Sequence, residues 1–355
     1  MTFASIGLPE VIAGIMVLAL NAYVLMGGAD YGGGVWDLFA TGPRAARQRE
    51  VIADSIAPIW EANHVWLIVV VVMLFTAFPA AFGLFGTILH VPLTIMLLGI
   101  VLRGSAFVFR SYGRAGPARR RWGAAFAIAS VITPIILGMT IGAVASGAVG
   151  AALRLSPTAG FRAVYVTPWL SLFPLAVGLM ALALFAFLAA TYLAYSAIDR
   201  QLCEDFRRRA IGSAVAVFAC AAFSLLVAQS QQLSIARGLL GAGWALALHA
   251  ATAVCAIGAI VALWRRQYHV ARLAAAAQVS LILWGWVFAQ YPYLAPPALT
   301  IHDAAAPRIT LELLLGGLIA GALVLIPSLR YLLRTFPPRR VAPPPGPATQ
   351  DTSGA

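Results

Sequence analysis

The sequence predicts an all-α protein that crosses a membrane nine times. Of its 355 residues, 61% are hydrophobic and only 10% are charged, and the mean hydropathy is +0.89. Such a chain cannot present a polar surface to water. It also contains many apolar runs of about 20 residues, the length at which a helix crosses the hydrocarbon core. A polytopic helical membrane protein is therefore expected.

Nine apolar stretches are long enough to be spans. We place them at residues 8–27, 59–78, 82–109, 122–145, 165–195, 210–228, 241–264, 272–290 and 310–333.

The basic residues determine the orientation. The net charge of +12 does not indicate nucleic-acid binding, because the arginines follow the membrane. Nineteen lie in alternate loops and the tail, four lie on the opposite side, and Arg103 lies inside a span. The positive-inside rule therefore places the N-terminus in the periplasm and the C-terminus in the cytoplasm, which requires an odd number of spans.

The domain organisation is simple. Residues 1–335 are expected to form a single transmembrane domain. Residues 336–355 contain PPRRVAPPPGPATQDTSGA, which cannot bury apolar surface and is typical of a disordered cytoplasmic tail.

Polar residues near the predicted cytoplasmic ends of three spans form the candidate functional site. Asp30 closes the first span, while Glu61, Asn63 and His64 open the second within SIAPIWEANHVW. Ionisable groups inside a membrane usually face a bundle interior or a water-filled cavity. The four residues therefore predict a path for proton uptake from the cytoplasm, with Glu61 as its principal carboxylate.

A structural interpretation competes with the proton path. Arg103, in the third span, lies at a similar depth and could simply neutralise Asp30 or Glu61 and hold three helices together. Trp60 would then be a supporting side chain. The glycines of GGADYGGG permit either a close helix approach or a break in the helix.

The outer loop after the eighth span is a second candidate region. AQYPYLAPPALTIHDAAAPR carries Tyr291, Tyr293, His302 and Asp303 and predicts a stiff amphipathic segment suited to docking. An ordinary aromatic belt explains the two tyrosines equally well.

No metal motif occurs in the sequence. His90 and His249 lie at similar predicted depths, so their two imidazoles could together ligate a haem. A packing or hydrogen-bonding role is the commoner one for a single histidine on a helix.

Several blocks together resemble subunit II of cytochrome bd-type quinol oxidases, most closely the cyanide-insensitive branch. They are GGADYGGGVWDLF, DSIAPIWEANHVWL, FTAFPAAF, RGSAFVFR and AQYPYLAPPALTIHDAAAP, in order from residue 20 to 310. The resemblance implies two four-helix bundles plus one peripheral helix. It also implies a respiratory enzyme of the bacterial inner membrane that oxidises quinol and reduces dioxygen to water.

The resemblance places the redox cofactors in another polypeptide. Two haems b and one haem d belong to subunit I in that family, together with the quinol-oxidising loop. The expected partners are therefore subunit I, quinone or quinol and membrane lipid. Ubiquinone as substrate or structural lipid, and a small single-helix subunit, remain open.

Carried over by motif, the family's WDGN-type acid falls on Glu61 and its DGFD-type acid on Asp30. Arg103 matches the first arginine of the RGxxFxFR block. The sequence departs at both acidic motifs: Glu replaces the commoner Asp, and GGAD replaces DGFD, so that one family acid corresponds to Gly27 or is absent.

Two other functions are alternatives. A proton-coupled transporter also needs membrane carboxylates, but favours broken helices and a midplane site. A pure scaffold for a haem-bearing partner would need only large intramembrane faces.

Overall fold

Long apolar helices account for most of the structure, a computed structural model that describes residues 7–56, 60–112, 116–155 and 158–335. Over these ranges, eight helices are long and apolar enough to cross a membrane, and a bent helix pair brings the number to nine. The prediction of an all-α polytopic membrane protein is confirmed. The tail, 336–355, lies outside the described residues.

The helices and the two short strands of the described ranges follow one another along the chain. They are α1 (Leu8–Leu38), α2 (Ala45–Ile56), α3 (Trp60–Ala77), α4 (Pro79–Ile88), α5 (His90–Tyr112), α6 (Pro117–Ala145), α7 (Ala148–Ala152), α8 (Phe161–Tyr165), α9 (Leu172–Ser196), α10 (Arg200–Ser230), α11 (Ser234–Gly241), α12 (Ala245–Trp264), α13 (Tyr268–Gln290), β1 (Tyr293–Ala295), β2 (Leu299–Thr300), α14 (Ile301–Ala304) and α15 (Arg308–Thr335).

The predicted boundaries are wrong at three spans. Helix α1 does not end near Asp30 but continues for eight more residues to Leu38. The predicted third span, 82–109, joins two separate helices, because α4 ends at Ile88 and α5 starts at His90. The predicted fifth span, 165–195, starts seven residues before α9, which begins at Leu172.

A sharp bend separates α3 from α4. The two axes differ by 115°, and Pro79 occupies the first turn of α4, a position that proline favours because it lacks an N–H. With 18 residues, α3 rises about 27 Å, close to the thickness of the hydrocarbon core. The bend therefore lies at the outer end of α3 rather than at the midplane.

Helix packing divides the long helices into two groups of four. Helices α1, α3, α5 and α6 form the first group, and α9, α10, α12 and α13 form the second. Helix α15 lies outside both groups, against α1 and α3. This arrangement agrees with the two bundles and one peripheral helix that the family resemblance implies.

The two groups meet where α9 packs against α1 and α6. A Cβ atom on Gly32 would lie 2.0 Å from the backbone oxygen of Phe185, and one on Gly138 would lie 2.7 Å from the Cα of Gly178. Glycine is required at these positions because the backbones approach too closely for any side chain. The glycine run of α1 thus serves close helix approach, and the helix is unbroken through it.

The outer loop between α13 and α15 is ordered by local pairing. Strands β1 and β2 are antiparallel, and Thr300 and Asp303 form a reciprocal capping box at the start of α14. Hydrogen bonds from Thr300 hold the pKa of the Asp303 carboxyl below its usual range. The amide of Ala306 donates to the carbonyl of Ala77 at 2.8 Å, which fastens this loop to the end of α3.

Candidate functional site

A buried ion pair between α1 and α5 is the centre of the candidate site. Arg103 donates from Nη1 to Asp30 Oδ2 at 2.7 Å, and from Nη2 both to Oδ1 and to the backbone oxygen of Asp30. The Arg103 and Asp30 side chains are 2% and 0% exposed. The guanidinium and carboxylate therefore meet in the two-pronged geometry that gives strong charge-assisted hydrogen bonds.

A second Asp–Arg pair lies two helical turns away, toward the end of the molecule that the arginine distribution assigns to the cytoplasm. Arg110 Nη2 donates to Asp37 Oδ1 at 2.8 Å, and both side chains are largely buried. Asp37 follows Asp30 by seven residues, as Arg110 follows Arg103. Seven residues are two helical turns, or about 10 Å, so α1 and α5 present both pairs on facing sides.

Helix α6 completes the surroundings of the ion pair. Arg103 Nε donates to Ser130 Oγ at 2.9 Å, and the Phe126 ring lies 4.9 Å from the guanidinium carbon of Arg103 and 5.6 Å from that of Arg110. A Cβ on Gly34 would lie 2.1 Å from Ser130 Oγ, so glycine admits this contact. The arginines thus stack on one aromatic ring, which adds cation–π attraction.

Aromatic side chains close the other side of the site. The Tyr31 ring lies 4.7 Å from the Arg103 guanidinium carbon and stacks on Phe185 of α9. The hydroxyls of Tyr23 and Tyr31 lie 3.3 Å apart, and both side chains are buried. The ion pair is consequently isolated from lipid by rings of α1, α6 and α9.

One of these two pairs is predicted by the sequence. Arg103 and Asp30 are expected at one depth, and the structure brings them together. Asp37, Arg110 and Ser130 are not among the predicted site residues. The signal was present, because ADYGGGVWD and RGSAFVFR repeat their charges at the same seven-residue spacing.

Asn63 and His64 extend the site along α3. The Asn63 side chain is fully buried, and neither its Oδ1 nor its Nδ2 has a hydrogen-bond partner among the described residues. His64 is partly buried, its Nδ1 also lacks a described partner, and it lies within electrostatic range of Asp30 and Arg103. Two predicted path residues thus lie beside the ion pair.

Two other predicted residues have no described side chain. Trp60 and Glu61 form the first turn of α3, and their side chains lie outside the described part of the chain. Their roles stay predictions.

His90 and His249 are not brought to a common site. Nδ1 of His90 lies 2.8 Å from the Thr87 carbonyl, and Nε2 of His249 lies 2.8 Å from the Leu239 carbonyl. They belong to α5 and α12, in different helix groups. Within the described ranges no three His, Cys, Asp or Glu side chains are grouped to hold a metal ion.

The predicted docking residues of the outer loop are exposed to different degrees. Tyr291 and Tyr293 are exposed, and His302 Nδ1 lies 3.2 Å from Glu10 Oε1 at the start of α1. Asp303 is used within the loop as a helix cap. The contact between His302 and Glu10 therefore holds the outer loop against α1.

Comparison with protein families adds the decisive observation to this geometry. A sequence model described as "Cytochrome bd terminal oxidase subunit II" matches residues 8–336, a range that includes all the helices α1 to α15. The chain belongs to this family. The expectation from the sequence blocks is confirmed.

Curated relatives in this subunit II family share parts of the sequence. "Cytochrome bd-I ubiquinol oxidase subunit 2" of Escherichia coli K12 is 27% identical over 209 residues, covering 58% of this chain and 52% of the relative. "Putative cytochrome bd menaquinol oxidase subunit II" of Bacillus subtilis 168 is 30% identical over 24% of this chain and 25% of the relative. These matches span from a quarter to about half of the relatives' lengths.

A solved structure shows the same fold. "The structure of bd oxidase from Geobacillus thermodenitrificans" contains a chain that superposes with a TM-score of 0.77. The match covers 93% of this chain and 98% of that chain, at 22% identity.

Gly27, one turn before Asp30 on α1, lies against the buried Asn63. A Cβ on Gly27 would lie 3.2 Å from Asn63 Nδ2. The Asn63 amide thus occupies the space beside this glycine.

Proposed function

We propose that this chain is the second, non-haem subunit of a cytochrome bd-type oxidase of the bacterial inner membrane. That enzyme oxidises quinol and reduces dioxygen to water. The observation that carries the proposal is the family match over residues 8–336. The relatives' names include both a ubiquinol and a menaquinol oxidase, so they support a quinol as substrate without selecting its head group.

The proposal assigns the haems to a partner, subunit I. Haem supplies the electron transfer and oxygen chemistry when it is bound there. The one histidine pair considered as haem ligands does not form a common site, because His90 and His249 each direct a ring nitrogen at a backbone carbonyl and lie in different helix groups. No step of the oxygen chemistry is therefore assigned to this chain.

For this chain we propose delivery of cytoplasmic protons toward the partner. Glu61 would take up the proton at the first turn of α3, and Asn63 and His64 would pass it along the helix. The support is the buried Asn63 amide, whose two polar atoms lack described partners. Such a group costs about 1–3 kcal/mol of stability, which favours a functional reason for its presence.

Asp30 has a different part in this proposal. Its carboxylate accepts two hydrogen bonds from the Arg103 guanidinium, so it would act as a fixed partner of Arg103 beside the path rather than as a carrier. The path would then run past the Asp30–Arg103 pair without breaking it.

The transporter alternative has less support. It calls for a broken helix at the midplane, whereas the break between α3 and α4 lies at the outer end of a full span. The pure scaffold remains the main competitor, and the Asp–Arg pairs alone are compatible with it.

The first test replaces Glu61 by Gln. We expect assembly and the haem spectrum to be unchanged, because the change removes only a titratable proton. Oxygen reduction should slow by roughly 100-fold, the lower range for losing a proton-transfer group. Oxygen consumption by the purified complex, with its haem content measured, gives the answer.

Glu312→Gln is the matched control, since it makes the same change at the outer end, where Glu312 pairs with Arg308. It should turn over normally. Normal turnover of Glu61→Gln would instead support the scaffold.

A separate test concerns the partner. An affinity tag on this chain should copurify a second membrane subunit whose optical spectrum contains a haem d band. A chain that purifies without haem from intact membranes would contradict the oxidase assignment.

A further inference from the structure

A cavity of about 310 Å³ opens at the end of the molecule that the arginine distribution assigns to the cytoplasm. It lies between the segment that follows α1 and the first turns of α10. Three arginines, Arg44, Arg208 and Arg209, and one carboxylate, Asp205, line it. We call it the arginine cavity. It lies outside the candidate proton path.

The single carboxylate of the cavity is already neutralised. Asp205 accepts two hydrogen bonds from Arg44, at 2.8 and 2.7 Å, and a third from Gln48 at 2.9 Å. Its charge and its lone pairs are therefore taken up by these two residues. The cavity therefore contains three arginines and one carboxylate, and that carboxylate is already engaged by Arg44.

Arg209 is held in place beside the cavity. Its Nη2 donates to the Phe39 carbonyl and to Gln48 Oε1, and its Nη1 is buried. The guanidinium of Arg209 therefore contributes positive charge to the cavity rather than a free hydrogen-bond donor.

Arg208 is also weakly engaged. It is 76% exposed and lies 3.4 Å from Glu204, a carboxylate that also contacts Arg207 and Arg266. One negative charge is thus shared by three arginines. The cavity and its rim carry more positive than negative charge.

We propose that the arginine cavity binds a phosphate group, and that an anionic phospholipid of the inner leaflet supplies it. Arginine suits phosphate because its planar guanidinium donates two parallel hydrogen bonds. The volume lies at the lower end of the range for small-molecule sites, which fits a headgroup better than a whole lipid.

The apolar surface beside the cavity favours a lipid over free phosphate. Leu38 and Phe39, at the end of α1, are 43% and 57% exposed. On α10, Arg208, Gly212 and Val215 follow one another at spacings of four and three residues, so they share one face. Gly212 has no atom within 4 Å of where a Cβ would lie, which leaves a shallow strip for an acyl chain below the headgroup.

The competing explanation is that these arginines only fix the membrane orientation. Arginines that serve orientation alone need no cavity and no partner, and any one of them on the cytoplasmic side would be equivalent to another. The two explanations therefore differ in whether position matters as well as charge.

The test compares lipid binding by variants of the full chain, purified with its copurifying subunit. Native mass spectrometry would count bound phosphatidylglycerol and phosphatidylcholine with identical acyl chains. Arg208→Gln should weaken phosphatidylglycerol binding about fivefold, the equivalent of roughly 1 kcal/mol per basic residue near an anionic surface. Phosphatidylcholine binding should not change.

Arg119→Gln is the matched control, because Arg119 is an exposed arginine at the start of α6, on the same predicted side and outside the cavity. It should bind like the unmodified chain. Arg208→Lys keeps the charge but not the two parallel donors, so it should lose affinity, though less than Arg208→Gln. Equal losses in Arg208→Gln and Arg119→Gln, or no loss in either, would overturn the proposal. Thermal unfolding of each variant separates a binding loss from a folding defect.

A competition experiment distinguishes the two phosphate sources. Millimolar inorganic phosphate should leave bound phosphatidylglycerol in place, because the apolar strip contributes to lipid binding alone. Displacement of the lipid by inorganic phosphate would overturn the lipid assignment.

Discussion

Arg103 connects three helices through one buried side chain. It joins α5 to Asp30 of α1 and to Ser130 of α6, inside a shell of aromatic rings. Removing two charges from water costs several kcal/mol per ion, and only good geometry with further hydrogen bonds offsets that cost. The described hydrogen-bond partners of Arg103 are all acceptors: the carboxylate and backbone oxygens of Asp30 and the hydroxyl oxygen of Ser130.

Replacing Arg103 by Met should destabilise the protein strongly. Asp30 would be left as a buried, uncompensated carboxylate, a change that typically costs about 3–5 kcal/mol. The midpoint of thermal unfolding in detergent should fall, and so should the yield from membranes.

The companion variant Asp30→Asn/Arg103→Met should be more stable than Arg103→Met alone, since it removes the stranded charge together with its partner. Equal stability of the two would mean that Asp30 is not ionised in the assembled protein.

The Asp30–Arg103 pair could be predicted because the positive-inside rule fixed the depth of each span. Asp37 could not be included, because the prediction ended the first helix at Asp30. Glycine lowers helix propensity, and five of the eight residues of GGADYGGG are glycine. Tertiary packing overrides this preference, since Gly32 and Gly34 lie against α9 and α6.

At the scale of elements, the close approach of α1 and α9 depends on the absence of side chains. Gly32→Ala should lower stability by about 1–3 kcal/mol, because its methyl group would overlap the Phe185 backbone and force the helices apart. Thermal unfolding of the purified protein would measure the loss.

Gly14→Ala supplies the control on the same helix. No atom lies within 4 Å of a Cβ placed there, and alanine is the better helix former by about 1 kcal/mol. This variant should be neutral or slightly stabilised. A similar loss in both variants would show that the cost does not come from helix packing.

The break between α4 and α5 could not be read from hydropathy. The residues around Leu89 are as apolar as their neighbours, so a continuous third span over 82–109 is the natural expectation. The sharp bend between α3 and α4 lies where the predicted second span ends, at residue 78. Pro79 indicates it, because proline both starts helices well and disfavours helical conformation in the residue before it.

At the scale of the whole molecule, the orientation is a prediction that the fold does not test. In a cysteine-free background, Gly160→Cys should react with a membrane-impermeant maleimide in intact cells. Arg119→Cys should react only after the membrane is opened, because the arginine distribution places it inside. Mass spectrometry of the labelled protein measures both.

The reverse labelling pattern would show that the chain has the opposite orientation, with the Asp–Arg pairs on the periplasmic side. Proton uptake from the cytoplasm through Glu61 would then be untenable, whatever the family.

The overall architecture was predictable to different degrees. Composition and length indicated the number of spans, whereas the division into two four-helix groups came only from the family resemblance. No repeat in the sequence indicates this division into two groups. Helices α1 and α9 pack through glycines and small side chains rather than through a repeated motif. Strands β1 and β2 have three and two residues, which is too short for an alternating hydrophobic pattern to indicate them.

The hydrogen bond from Ala306 to Ala77 limits how the region between α13 and α15 can evolve. Surface loops generally tolerate insertions and deletions. In this loop a shift of one residue would remove the amide that satisfies the terminal carbonyl of α3, and because Ala77 is fully buried, water cannot readily replace that amide. Loop length at this position should accordingly vary less among relatives than at the cytoplasmic connections, despite its location at the surface.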